Sequence, residues 1–258
     1  MLHIPSVTPR VTYAVLLINI LVFIIRLTSP ALDEQIFMWG ANHQPYVLQD
    51  GEYYRLLSSM FLHASVYSPR GGFALENSLH LIFNMYILYS IGTALERLFG
   101  HARFAIIYLL GGITGSVLST VFSDANVFSV GASGAVFAVL GAEFVYLYQH
   151  RKLLGARGRR QMQSLISLAV INLLFGLVTT VSTGPIRVDN WAHLGGALGG
   201  LILAWFIGPI FIVSTHPTQP NALLGEDINP LRNKYGIVSL YAAALLLILI
   251  FARQFALG

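Results

Sequence analysis

The chain has 258 residues, of which 55% are apolar and 10% charged, and its mean hydropathy is +0.69. A soluble domain carries about a quarter charged residues, so water is not the main solvent of this chain and its class is a polytopic membrane protein. The absence of cysteine excludes disulfides and thiolate metal sites, and the net charge of +4 is explained by membrane topology before nucleic acid, for which no role is expected.

A helix needs about 20 residues to cross a hydrocarbon core, and apolar runs of that order recur along the chain. The first, Val11–Leu27, follows Arg10 without a signal-peptide cleavage pattern and reads as a retained helix. Thr28–Ser78 is then a long external connection in which Asp33, Glu34, Asp50 and Glu52 are mixed with aromatics. A loop of that length has its own fold or a function. Five further runs follow at Leu79–Phe99, Phe104–Phe122, Val130–Tyr148, Leu165–Val181 and Trp191–Val213, and these with the first make a six-helix core over residues 1–213. Pro217, Pro220 and Pro230 mark residues 214–235 as a cytoplasmic linker. The last run, Gly236–Phe251, makes residues 236–258 an additional C-terminal helix, seven in total.

Lysine and arginine concentrate in cytoplasmic loops. With the N-terminus inside, Arg10, Arg97, Arg103, Arg151, Lys152, Arg157, Arg159, Arg160, Arg232 and Lys234 are cytoplasmic, and Arg26, Arg55, Arg70, Arg187 and Arg253 are external. The basic cluster from Arg151 to Arg160 then lies beside anionic lipid. The expected location is the plasma or inner membrane, crossed many times.

Ionisable and nucleophilic groups inside a span are costly and therefore functional candidates. His80 and Asn84 fall in the first turns of the second helix, Ser133 in the first turn of the fourth and His193 in the first turn of the sixth. All three helices run inward, so the four side chains share one external depth although sixty residues separate Ser133 from His193. A serine hydroxyl needs a base within about 2.6 to 3.2 Å to become a nucleophile, and a neutral imidazole is the usual one. The helix N-terminus beside Ser133 offers unpaired N–H groups to a developing oxyanion, and His80 and Asn84, one turn apart, can each donate to it. Gly131 and Gly134 flank Ser133, and Gly196 and Gly200 follow His193 on its own face, so the fourth and sixth helices can approach closely. Each element also has a plainer reading. Serine and glycine pack membrane helices, His80 and Asn84 could form an interhelical pair, and His193 beside Trp191 could anchor at the interface.

These residues resemble the rhomboid family of intramembrane serine proteases. The match comprises His80-x-x-x-Asn84, Gly131-x-Ser133-Gly134 and Ala192-His193-x-x-Gly196-x-x-x-Gly200, with Gly92-x-x-Leu95-Glu96-x-x-x-Gly100 at the inner end of the second helix. It covers roughly Tyr53 to Phe206. The resemblance implies that Ser133 is the nucleophile, His193 the general base and acid, and Asn84 with His80 the oxyanion stabilisers, joined by the Ser133 N–H. It implies no acidic triad member and no metal or cofactor, and it implies transmembrane proteins as substrates, cut near their outer ends. Glu143, ten residues past Ser133, lies about 15 Å deeper and is expected to pair with a cytoplasmic-side base. Where the family often has Trp-Arg in the external loop this chain has Tyr54-Arg55, with extra residues around Val66–Asn77. The sequence carries no His-Glu-x-x-His for zinc and no aspartate within a span. The alternatives are a non-proteolytic, client-binding protein of the same fold and a transporter, whose path would need polar groups at several depths.

Overall fold

A computed structural model describes residues 2–3, 5–65, 67, 75–181, 188–215 and 223–257. Of the features expected from sequence, Arg70, Arg187, Pro217 and Pro220 lie outside the described residues, as does most of the extra stretch at Val66–Asn77.

Helix α1 (Arg10–Arg26) leads into a long connection with structure of its own: α2 (Pro30–Gly40), α3 (Gln44–Leu48) and α4 (Arg55–Ser58), the last continued by a 3-10 turn at Ser59–Phe61. The start of α2 is encoded locally, since Ser29 Oγ accepts the Leu32 N–H at 3.2 Å and Pro30 occupies the first helical position. The second long helix is α5 (Leu75–Ile87), a π turn (Leu88–Gly92) and α6 (Thr93–Phe99) in continuous succession. Gly100, at φ +78°, ends α6 and starts α7 (His101–Phe122) within one residue, a conformation that favours glycine. Then come α8 (Ser133–Gln149), α9 (Arg151–Val181), α10 (Asn190–Ile207) and α11 (Tyr235–Leu257).

Among the described residues five helical segments are long and apolar enough to cross a membrane: Ser78–Phe99, His101–Phe122, Arg151–Thr179, Asn190–Ile207 and Tyr235–Leu257. Helices α1 and α8 have 17 residues each, the lower end of the spanning range. Helices α7, α8 and α10 form the centre and bury Phe104, Tyr108, Ala135, Ala138, Leu203 and Ile207 against one another. The outer helices turn large apolar side chains away from the protein, with Leu240 71% and Phe255 88% exposed on α11, as lipid-facing surfaces require.

Among the boundaries that differ from the hydropathy reading, two have a clear local cause. The sixth helix ends at Ile207 rather than Val213, because Pro209 drives Gly208 out of the helical region, to ψ 148°. Phe211–Thr215 instead forms strand β2, antiparallel to β3 (Leu223–Asp227), and β3 pairs in parallel with β1 (Leu2–His3). The fifth helix begins at Arg151 rather than Leu165. Its lysine, arginine, leucine and glutamine residues are good helix formers, and only Gly155, at φ +55°, breaks it.

Contacts define two ends of the bundle. At one, Glu96 accepts from Val11 N, Thr12 N and Thr12 Oγ1 at 2.6–2.9 Å, Arg103 meets Asp227 at 2.7 Å, and Phe211 N donates to His150 Nε2 at 2.9 Å, so the small sheet and the basic start of α9 lie here. At the other, Asn42 exchanges backbone hydrogen bonds with Ser129, and Arg253 of α11 donates to Tyr53 Oη at 3.2 Å. The connection between α1 and α5 is stapled by two arginines. Arg55 donates to the Met38 and Ala41 carbonyls at 2.7 and 3.0 Å and to Glu52. Arg26, 2% exposed, pairs with Asp33 at 2.6 Å and donates to the His63 carbonyl. Removing one member of a buried pair leaves the other charge uncompensated, at a cost of about 3–5 kcal/mol. Asp33→Ala is therefore expected to lower the thermal midpoint sharply, while Asp33→Asn, which still accepts a hydrogen bond from Arg26, retains more of it; thermal melts of the two variants in detergent check the order.

Candidate active site

The site is assembled where three helices begin at the second end of the bundle. Ser133 is the first residue of α8, and the turn before it rests on Gly131, whose N–H donates to Ser59 O at 3.0 Å. Gly131 has φ +134°, and a Cβ there would sit 2.8 Å from His80 Cε1, 3.3 Å from His80 Nε2 and 3.7 Å from Ser133 Oγ. The glycine is thus the point at which the His80 ring and the Ser133 hydroxyl come together, and any side chain would push them apart. Asn84 lies one turn along α5 from His80 and is 5% exposed; one N–H of its amide donates to the His80 carbonyl at 2.8 Å.

His193 enters from α10 and is 4% exposed. Its ring lies flat on Phe137, with centroids 4.2 Å apart and planes 13° from parallel. Phe137 is four residues beyond Ser133, on the same face of α8, so the imidazole packs against α8 one turn from the serine. No hydrogen bond joins Ser133 to His193, and His193 Nδ1 has no partner among the described residues. Bonds between catalytic groups commonly tighten only when substrate is bound.

The close approach of α8 and α10 is made by absent side chains. A Cβ on Gly196 would overlap the Gly134 carbonyl, and one on Gly200 the Ala138 carbonyl. Gly134 itself lies against Ala192, where a Cβ would come 3.3 Å from the carbonyl oxygen. Asp189 caps α10 by accepting the Ala192 N–H at 2.9 Å, and its other oxygen accepts from Ser119 and Ser129, both at 2.5 Å. Its carboxylate is therefore spent on tying α10 to α7 and to the loop before α8.

Residues 50–210 match the family model described as the Rhomboid domain, which is more than half of the chain. The chain belongs to the rhomboid family. It is 35% identical over 202 residues to "Rhomboid protease GluP" of Bacillus subtilis, covering 78% of this chain and 35% of that protein. It is 33% identical over 168 residues to "RHOMBOID-like protein 6, mitochondrial" of Arabidopsis thaliana (65% and 48%) and 34% identical over 158 residues to "Inactive rhomboid protein 1" of Bos taurus (61% and 16%). This rhomboid chain spans less than half the length of each of these three relatives.

Two residues close to the rhomboid site carry no signal in the sequence pattern. Phe137 reads as one more apolar residue of a buried helix, and only the stacking of His193 distinguishes it. His63 sits in the connection before α5, beyond the 3-10 turn, 1% exposed, its ring 5.4 Å from that of His80. Glu143 differs from the expectation that it pairs with a base: its Oε1 accepts from the amide of Gln161 on α9 at 2.5 Å, because the arginines nearby on α9 are exposed and reach outward.

Proposed function

We propose that this chain is an intramembrane serine endopeptidase that cleaves transmembrane proteins through an acyl-enzyme, with Ser133 as nucleophile and His193 as general base and acid. The observation that carries this reading is the His193 ring seated on Phe137, one turn beneath Ser133, in a site whose glycines leave room for the hydroxyl. His193 takes the Ser133 Oγ proton as Oγ bonds to the scissile carbonyl carbon and the C=O pair moves onto oxygen. The oxyanion forms at the N-terminus of α8, beside the Ser133 N–H, His80 and the second N–H of the Asn84 amide. Its collapse breaks the C–N bond, and His193 returns the proton to the leaving amine. Water then attacks the acyl carbon with His193 again accepting a proton, which releases a carboxylate and restores the serine.

The same reading places seven spans in the membrane with the N-terminus cytoplasmic and the site near the external face. It is supported by the gathering of Arg97, Arg103, Arg151, Lys152, Arg157, Arg159 and Arg160 at the end opposite Ser133. Substrates would be cut where their helix unwinds near its outer end, since a helical carbonyl is hidden until then. The inactive bovine relative favours a second reading, a client-binding protein without proteolysis. A serine-reactive fluorophosphonate separates the two without a known substrate. Proteolysis predicts labelling of the wild-type protein in detergent that disappears in Ser133→Ala and His193→Ala. A folded wild type that never labels selects the client-binding reading.

A further inference from the structure

His63 is buried to 1% exposure, and neither of its ring nitrogens has a hydrogen-bond partner among the described residues. A neutral imidazole carries one N–H donor and one lone pair, and buried polar groups are almost always satisfied. An apolar residue would fill the same space at no such cost, so an imidazole here is explained only if its nitrogens are used. Burial, then the proximity of His80 and then Arg26, hold the His63 imidazole well below its ordinary pKa, so the ring is neutral at physiological pH. Arg26, whose Nη2 also lacks a protein partner, is anchored by Asp33 and by the His63 carbonyl.

The direction in which His63 acts follows from its neighbours. Its ring is set edge-to-face against that of His80, centroids 5.4 Å apart and planes at 64°, with no direct hydrogen bond between them. Rings at this centroid separation touch edge to face, so a water that joins them would sit beside the contact and bond one nitrogen of each ring. On its far side His80 turns Cε1 and Nε2 toward Gly131 and Ser133. To donate to an oxyanion there, His80 must carry its proton on Nε2, and the tautomer of an imidazole is set by what its other nitrogen bonds.

We propose that His63 is a positioning residue for His80: an ordered water hydrogen-bonded between the two imidazoles holds His80 in the tautomer that donates from Nε2 toward the oxyanion. This rests on the proteolytic reading above and deepens it, by giving the oxyanion donor a fixed partner behind it. The water is structural and is distinct from the one consumed in hydrolysis.

The test compares His63→Phe, His63→Gln and the wild type. Phenylalanine fills the site without polar atoms, whereas glutamine keeps a donor and an acceptor. His63→Phe should slow fluorophosphonate labelling of Ser133 by about tenfold, less than the loss on deleting an oxyanion donor outright, with little change in thermal midpoint because phenylalanine fills the same space and brings no polar atom that needs a partner. His63→Gln should return labelling to within about threefold of wild type. Wild-type labelling in His63→Phe overturns the proposal. So does a slow His63→Phe whose midpoint falls in step and which glutamine does not rescue, the signature of a packing role. The imidazole ¹⁵N shifts of His80, identified by their loss in His80→Gln, decide the matter independently of activity. A single Nε2-protonated form in wild type that becomes a tautomer mixture in His63→Phe supports the water link, and identical shifts in both overturn it. That readout stands even where the wild type never labels, an outcome that counts against the proteolytic reading alone.

Discussion

His193→Ala is expected to lower the rate of Ser133 acylation by at least about 10³-fold, the upper part of the range for loss of a general base acting on a serine that is inert without one. The variant also removes the ring stacked on Phe137, so part of any loss could come from a cavity at a packed helix contact. His193→Phe separates the two effects. It preserves an aromatic ring against Phe137 but carries no nitrogen, so its thermal midpoint should stay near that of wild type while acylation falls as far as in the alanine variant. Fluorophosphonate labelling rates and thermal melts on the same detergent preparations read both quantities. Acylation retained in His193→Phe would show that the base lies elsewhere.

Gly196→Val is expected to abolish labelling and to lower the yield of folded protein. The Cβ of any larger residue would occupy the position of the Gly134 carbonyl oxygen, and that oxygen belongs to a helix backbone that cannot rotate away. Overpacking of flexible core side chains costs about 1–3 kcal/mol, and a clash between two helix backbones exceeds that because the whole of α10 must move from α8. The displacement would act directly on the site, since Gly196 lies one turn from His193 and Gly134 adjoins Ser133. Gly236→Ala is the control. Nothing lies within 4 Å of a Cβ at Gly236, near the start of α11, and alanine there should leave both labelling and midpoint unchanged. Equal behaviour of the two variants would remove the close α8–α10 contact from the argument.

Much of this protein is legible along the chain because a bilayer imposes local rules. A helix that must satisfy its own backbone in lipid appears as an apolar run, which is why each run contains a helix, five of them, among the described residues, long and apolar enough to cross a membrane. Helical periodicity likewise puts His80 with Asn84, and His193 with Gly196 and Gly200, on common faces before any coordinates are considered. Boundaries are less legible where hydropathy alone sets them: the fourth run begins at Val130, but its helix begins at Ser133, behind Gly131. At Gly208–Pro209 a backbone restriction ended a helix inside an apolar run, and at Arg151 helix-forming basic residues extended one beyond it.

The tertiary structure decided the rest, because it depends on which faces meet and not on what any face contains. Phe137 differs from the other apolar residues of α8 only in that His193 lies on it. His63 meets His80 only because the chain path brings the connection between α1 and α5 beside α5. Asp189 and Glu143 show the same limit for charged groups. Each is conspicuous in an apolar sequence, yet one carboxylate is spent capping α10 and tying down Ser119 and Ser129, and the other holds an amide of α9. Hydrophobicity and helical period act over a turn or two of one helix and can be read from neighbours in sequence, whereas hydrogen-bond partners and ring contacts are chosen among residues tens of positions apart, and only packing brings those together.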